Sequence, residues 1–146
     1  MTHWIAVASA ARARIFEQTG PKAALEEIDD LVNPEDRLRQ QDLGADRPGR
    51  TFDSAGEQRH AMEPPTGPRE KRAIAFARTV VDALEAGRTS QRFAELWLIA
   101  PPRFLGRLRE HMSEALAKTV TREINKDLTQ ESPEALVDHI AAAGSG

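Results

Sequence analysis

Residues 4–18 read WIAVASAARARIFEQ, with two short apolar runs on either side of a polar link. Both runs are rich in residues that favour strands. The link Ser9-Ala10-Ala11-Arg12 is short enough for a hairpin, and Gly20-Pro21 then punctuates the chain. This stretch therefore predicts that the chain begins with two antiparallel strands.

The segment from Leu25 to Val32 allows two interpretations. Its apolar residues Leu25, Ile28, Leu31 and Val32 have helical spacing, whereas its position directly after a hairpin favours a third antiparallel strand. We predict the strand.

Helices alternate with strands in the second half of the chain. Pro68 suits the first turn of a helix, and an apolar stripe continues from there to a helix end near Gly87. The run from Leu96 to Ala100 predicts a strand buried on both faces, which Pro101-Pro102 terminates. The remaining predicted elements are a helix marked by Phe104, Leu105, Leu108 and Met112, a strand from Thr119 to Ile124, and a helix that starts at Ser132-Pro133, runs through Leu136, Val137 and Ile140, and frays over residues 141–146.

This order of elements predicts an α/β protein with a mixed sheet flanked by helices, parallel in its second half and antiparallel in its first. The chain has 146 residues, of which 40 % are hydrophobic and 29 % charged. That size and balance suit one domain with a packed core. We therefore predict a single domain over residues 1–146.

A long polar segment, residues 33–68, interrupts the pattern. It is rich in proline, its charges nearly cancel, and a structureless loop of this length in a compact domain is usually functional or disordered. Its arginines suit phosphate groups, which guanidinium binds in a bidentate manner. The interleaved carboxylates favour a second interpretation, in which the loop pairs its own charges.

Several classes of function are disfavoured by composition. The chain has no cysteine, which removes disulfides, thiolate metal sites and cysteine nucleophiles. No stretch has the order of a signal peptide or the length of a membrane span, so we expect a cytoplasmic protein without membrane insertion. The net charge of -3 gives no global attraction for nucleic acid, so any such contact requires a local basic patch.

One candidate site lies where the buried strand meets the next helix. The carboxyl ends of strands are the usual ligand position in α/β sheets, and a helix N-terminus favours anions. Arg103 is therefore a candidate anion contact, although Arg103, Arg107 and Arg109 also suit a solvated helix face. The chain has no glycine-rich phosphate fingerprint and no histidine spacing for a metal, so no cofactor or metal is predicted.

Five segments of the chain carry a resemblance to a known family. They are residues 9–16 (SAARARIF), 46–54 (DRPGRTFDS), 58–64 (QRHAMEP), 100–106 (APPRFLG) and 126–129 (KDLT). In this order they resemble the bacterial host-attachment protein family, from Trp4 to about Ile140. The family's name implies a role in adhesion to host cells, and for a cytoplasmic chain we expect that role to be indirect.

The order of elements is also similar to the middle domain of archaeal and eukaryotic class-one peptide release factors and their bacterial relatives, with a ribonuclease-H-like topology. Those domains carry a Gly-Gly-Gln loop before a long helix, and Gly56-Glu57-Gln58 occupies the comparable place. Glu57 removes the backbone freedom of glycine and adds a negative charge that RNA phosphates repel. The resemblance therefore implies ribosome binding without peptide release.

The sequence as a whole predicts a non-enzymatic binding protein that contacts the ribosome or RNA. The predicted contacts are Arg47, Arg50, Gly56, Gln58, Arg59 and Arg103. One alternative is a small hydrolase or nuclease that uses Asp53 and His60, since a loop histidine near a carboxylate can act as a general base. Another is an interaction module whose loop docks on a protein partner or on its own dimer mate.

Overall fold

A computed structural model describes residues 2–20, 23–34 and 67–144. Its strands are β1 (His3–Ala8), β2 (Arg12–Gln18), β3 (Glu26–Val32), β4 (Glu95–Ile99) and β5 (Val120–Ile124). Its helices are α1 (Pro68–Thr89), α2 (Pro102–His111), α3 (Glu114–Thr119) and α4 (Pro133–Gly144).

The strands form one mixed sheet in the order β3-β2-β1-β4-β5. The first three strands pair antiparallel, and β4 pairs parallel with both β1 and β5. The α/β class and the mixed sheet are therefore confirmed, and so is the strand interpretation of residues 25–32. The strand order is consistent with the ribonuclease-H-like topology.

Helices cover both faces of the sheet. On one face, α1, α2 and α3 pack on strand side chains such as Trp4, Ile15 and Leu98. On the other face, Leu136 and Ile140 of α4 belong to a second buried cluster with strand residues of β1, β2, β4 and β5. The alternation of strand side chains produces this division, because neighbours such as Leu98 and Ile99 point to opposite faces.

Local chemistry explains where most helices begin. Proline occupies the first turn of α1 and α2, where a missing N–H costs nothing. At the start of α4, the Ser132 hydroxyl accepts a hydrogen bond from the Ala135 N–H at 3.1 Å, which confirms the predicted cap.

Two boundaries differ from the prediction. Helix α3 was not predicted, because its six residues carry one buried side chain, Leu116, and no periodic stripe. Its start is fixed by Ser113, whose hydroxyl accepts from the Leu116 N–H at 3.0 Å. At the other end of the chain, α4 continues to Gly144, so the predicted fraying from Ala141 was wrong for residues 141–144.

Candidate binding site at the carboxyl edge of the sheet

The carboxyl ends of β1 and β4 lie side by side, because the two strands pair parallel. After β1 the chain turns towards β2, and after β4 it turns away through α2 towards β5. Neighbouring strands whose connections leave in opposite directions open a crevice, which is the usual ligand position in open α/β sheets. The fold therefore locates the candidate site at this edge.

The turn after β1 forms one wall of this crevice. The Ser9 N–H donates to the Arg12 carbonyl at 2.7 Å, and the Ser9 hydroxyl accepts from the Ala11 N–H at 3.2 Å. Asn33, which follows β3, stabilises the turn. Its backbone N–H donates to the Ala11 carbonyl at 2.9 Å, and its side-chain amide donates to the Ala10 carbonyl at 3.0 Å. The turn is thus rigid, and its hydrogen bonds leave the Ala10 side chain exposed.

A cavity of about 180 Å³ lies between this turn, α1 and α2. We call its lining the carboxyl-edge site, which consists of Ala10, Glu70, Ala73, Pro101, Arg103, Phe104 and Arg107. Four of these residues are apolar, and the charged ones stand beside them on the two helices. Glu70 of α1 forms an ion pair with Arg107 of α2, and Arg107 also reaches Glu110 at 3.4 Å. The cavity therefore combines an apolar interior with a fixed carboxylate.

The rim of the carboxyl-edge site, by which we mean the exposed first turns of α1 and α2, carries basic side chains. Arg103 is exposed on the first turn of α2, and the ion pairs of the described residues do not include it. Arg69 and Lys71 are exposed on the same turn of α1 as Glu70. Neither helix has a side-chain cap, so the partial positive charge of both N-termini adds to the rim. Such an arrangement suits an anionic group with an apolar part attached to it.

The predicted site residues fall into two groups. Arg103 lines the cavity, and its role as an anion contact stays a prediction. The others lie outside the described residues, namely Arg47, Arg50, Asp53, Gly56, Gln58, Arg59 and His60. On either side of the segment that holds them, Asn33 binds the turn after β1 and Glu70 lines the cavity.

Sequence reasoning missed most of the cavity lining. The sequence position of Arg107 suits a solvated helix face, yet the side chain pairs with Glu70 on another helix. Phe104 was recognised as a core position, and it is buried, but it also lines the cavity. Opposite charges on two helices that each follow a proline could have suggested the ion pair, although nothing in the spacing shows that the helices meet.

A second cluster joins two of the segments that carry the family resemblance. Arg14 is buried, and it donates to the Thr129 carbonyl at 3.1 Å and to the Glu131 carbonyl at 2.6 Å. Its remaining nitrogens bind both carboxylate oxygens of Glu27 on β3. Asp127 accepts from the Thr129 N–H and hydroxyl, which fixes that turn. These contacts tie β2, β3 and the approach to α4 together, so this cluster is structural.

Four groups with a shifted pKa lie away from the carboxyl-edge site. The hydrogen bond from Arg12 holds the pKa of Asp30 below its ordinary value and raises that of the guanidinium. Hydrogen bonding from Ser113 lowers the pKa of Glu85. Burial lowers the pKa of His3, whose ring lies 4.4 Å from that of Trp97. These carboxylates belong to contacts between secondary-structure elements.

Within residues 2–20, 23–34 and 67–144, no group of three or more acidic or histidine side chains could hold a metal ion. Over the same described ranges, no helix is long and apolar enough to cross a bilayer.

Comparison with known proteins identifies one family. The family model described as "Protein required for attachment to host cells" matches residues 4–140. A relative from Rickettsia prowazekii (strain Madrid E), described as an uncharacterised protein, is 37% identical over 77 residues, which cover 51% of this chain and 51% of the relative. The matched region thus spans about half the length of that relative.

Proposed function

Because the chain belongs to the family of proteins required for attachment to host cells, we propose that it serves attachment as a non-enzymatic binding protein that contacts RNA phosphates at the carboxyl-edge site. The observation that carries the proposal is Arg103, which is exposed on the first turn of α2 and lies outside the ion pairs of the described residues. Its effect on attachment is then indirect, through the RNA that it binds.

The geometry of the rim supports a polyanion as the ligand. Arg69 and Lys71 are exposed on the first turn of α1, the helix that contributes Glu70 and Ala73 to the cavity, so exposed positive groups occur on both helices. A chain of phosphates can reach several such groups, each of which releases counterions when it is neutralised. The four carboxylates of β3 lie on an edge strand of the sheet, and none of them is part of the cavity lining. Local charge therefore favours RNA although the net charge is -3.

The ribosome is the proposed carrier of that RNA. The order of elements is similar to that of the middle domain of peptide release factors. Arg47, Arg50 and Arg59 belong to the segment that joins Asn33, at the turn after β1, to Glu70, at the cavity. We propose that they extend the contact. Peptide release is not part of the proposal, since Glu57 stands where that chemistry needs glycine.

Co-sedimentation with bacterial ribosomes and subunits over a range of salt concentrations tests this function. We expect saturable pelleting that weakens as salt rises. In a plot of the logarithm of the binding constant against the logarithm of the salt concentration, the slope should become shallower by about one when Arg103→Ala removes a phosphate contact. Arg78→Ala is the matched control, because Arg78 is exposed on α1 and is not part of the cavity lining. The triple variant Arg47→Ala/Arg50→Ala/Arg59→Ala should bind still more weakly.

Two results would overturn the proposal. No pelleting of the wild type at low salt would contradict RNA binding on the ribosome. Pelleting that is saturable but indifferent to salt would indicate a protein contact instead, since an apolar interface does not depend on counterion release.

A further inference from the structure

We propose that the groove between β3 and the last turns of α1 docks an extended basic protein segment, which joins the sheet as an additional strand beside β3. Glu70 of the carboxyl-edge site lies on the first turn of α1, whereas Gly87 of this groove lies roughly 25 Å further along the helix axis. The two surfaces are therefore separate, and the inference goes beyond the RNA contact without depending on it.

The groove is a cavity of about 260 Å³ at the edge of the sheet. Its lining includes Trp4, Ile28, Asp29, Ala83, Ala86 and Gly87. All the residues that α1 contributes are small, so the helix leaves open the space that longer side chains would fill. The Trp4 ring and Ile28 provide apolar walls, which suit the methylene stem of a long side chain.

The outer edge of β3 carries main-chain groups that can pair with a strand. Asn33 donates its N–H to the Ala11 carbonyl of the neighbouring turn at 2.9 Å. Because hydrogen-bonded positions alternate in an antiparallel ladder, Val32 and Asp30 face away from β2. The Asp30 N–H meets the carboxylate of its neighbour Asp29, at 2.9 Å, in place of a strand.

Such an edge favours the addition of a strand from a partner. The sheet ends at β3, and among the described residues no main-chain hydrogen bond from a loop, turn or cap reaches Val32. An exposed edge is a template for pairing. In complexes of this kind the main-chain hydrogen bonds provide affinity, and pockets for alternate side chains provide specificity. The groove beside β3 supplies such a pocket.

Carboxylates beside the groove determine the charge of the segment. Glu17 and Glu26 lie directly opposite each other on β2 and β3, where like charges repel. The Glu17 carboxylate accepts from the Trp4 indole N–H at 3.1 Å, which brings it to the ring that lines the groove. None of Glu17, Glu26 and Asp29 forms an ion pair with another described residue. A positive charge from the partner would relieve this repulsion.

A lysine or arginine of the segment fits both the walls and the charges. Its stem can lie along Ile28 while its charged end reaches the Asp29 carboxylate. The cation already in the lining, Arg92, is stacked on the Trp4 ring, 5.1 Å from the ring centroid. An added strand also takes over the Asp30 N–H, which frees the Asp29 carboxylate for the incoming cation.

The same charges disfavour the β3 strand of a second copy as the occupant. Pairing two such strands would bring together the four carboxylates of each. Charges on edge strands keep copies apart in this way, whereas opposite charges on paired strands stabilise the pair. The groove therefore fits a basic segment of another protein.

Three labelled synthetic peptides test the docking site with the full chain, measured by fluorescence anisotropy. The first alternates lysine with valine, the second replaces its valines by proline, and the third replaces its lysines by glutamate. We expect the first to bind saturably and the other two about tenfold more weakly, because one has lost strand hydrogen bonds and the other has the wrong charge.

Val32→Pro tests the main-chain contact. Proline removes an N–H that faces outwards and is tolerated on edge strands, so binding of the lysine–valine peptide should weaken roughly two- to tenfold, the equivalent of one hydrogen bond. Val32→Thr is the matched control, since it keeps the N–H and the branched side chain. Circular dichroism establishes that each variant is folded.

Ala86→Leu tests the groove, because it adds carbon atoms to a wall without changing charge. We expect the lysine–valine peptide to bind this variant about tenfold more weakly. Ala75→Leu is the matched control, since Ala75 is exposed on the same helix and is not part of the lining.

Three results would overturn the inference. Equal binding of the lysine–valine and lysine–proline peptides would mean that charge alone holds them. Unchanged binding in both Val32→Pro and Ala86→Leu would place the peptide elsewhere. A dimer of the wild type that the lysine–valine peptide does not dissociate, and that Val32→Pro does, would show that a second copy occupies the edge.

The RNA contact fails or stands separately. Arg103→Ala should bind the lysine–valine peptide as tightly as the wild type does, since Arg103 is not part of this groove. Loss of peptide binding in Arg103→Ala would contradict the separation of the two surfaces and overturn the docking site as proposed.

Discussion

Arg14 places a guanidinium in the protein interior, where it must be fully paired to be tolerated. It donates to two main-chain carbonyls before α4 and to Glu27 on β3, so one side chain connects three parts of the fold. We predict that Arg14→Gln lowers the free energy of unfolding by about 3 kcal/mol, because a shorter amide leaves buried acceptors without donors. Urea unfolding followed by circular dichroism measures the change.

Arg12 is the control for this prediction, since it lies on the same strand and also binds a carboxylate of β3. Its contacts with Asp30, at 3.0 and 2.8 Å, are exposed to solvent. Arg12→Gln should therefore cost less than about 1 kcal/mol. Equal losses in the two variants would contradict the structural role assigned to the buried arginine.

His3 provides a titration near neutral pH. Burial lowers its pKa from the ordinary value of 6.5, although Glu95 acts in the opposite direction. The folded state then binds its proton less readily than the unfolded state. The stability contributed by neutral His3 is thus present above pH 6.5 and is lost as the pH falls through the lower folded value.

Tryptophan fluorescence can follow this titration, because the His3 and Trp97 rings are in contact. In a Trp4→Phe background, we expect the emission of Trp97 to change with a midpoint below pH 6.5 as the imidazole gains its charge. His3→Gln should remove the step. If the step persists in His3→Gln, it arises from another titrating group.

At the scale of elements, Gly87 determines how closely α1 approaches β1. A Cβ atom at this position would lie 2.4 Å from Cη2 and 2.5 Å from Cζ3 of Trp4. The indole is held by the Phe93 ring at 4.7 Å and by its hydrogen bond to Glu17, so it cannot simply withdraw. We predict that Gly87→Ala lowers the free energy of unfolding by about 1–3 kcal/mol, measured by thermal or urea unfolding.

Gly106→Ala is the matched variant on α2, where a Cβ atom would meet nothing within 4 Å. There alanine should raise the free energy of unfolding by about 0.5–1 kcal/mol, because glycine loses more conformational freedom in a helix. Two substitutions with the same chemistry are thus expected to have opposite signs. Stabilisation by Gly87→Ala would mean that α1 and β1 are less tightly packed than the structure shows.

The elements were predictable wherever one physical rule dominated. Leu96 to Ile99 is apolar because β4 lies between two strands under helices on both faces, and this requirement is visible in the sequence. In residues 25–32 two rules competed, and the hairpin position outweighed the helical spacing. Helix α3 was not predictable because a cap and a single buried leucine leave no periodic pattern.

The site was predictable only in part, for a reason that belongs to the whole molecule. Arg103 could be proposed because its position after a buried strand is a local property. The cavity also needs Ala10, Ala73 and Phe104, which are unremarkable by themselves and come from three distant parts of the chain. Their meeting depends on the helix packing and on the parallel pairing of β1 with β4, neither of which follows from residue spacing.

The two faces of the sheet share their strands, and this predicts that the protein unfolds as one unit. Trp4 packs on the side of α1, whereas Trp97 packs on the side of α4, so the two tryptophans report on opposite cores. We expect Trp4→Phe and Trp97→Phe each to show one urea transition whose fluorescence midpoint equals that from circular dichroism. Because strands carry side chains of both cores, neither core can lose its packing while the other keeps the sheet. Different midpoints within one variant would show that the cores unfold separately.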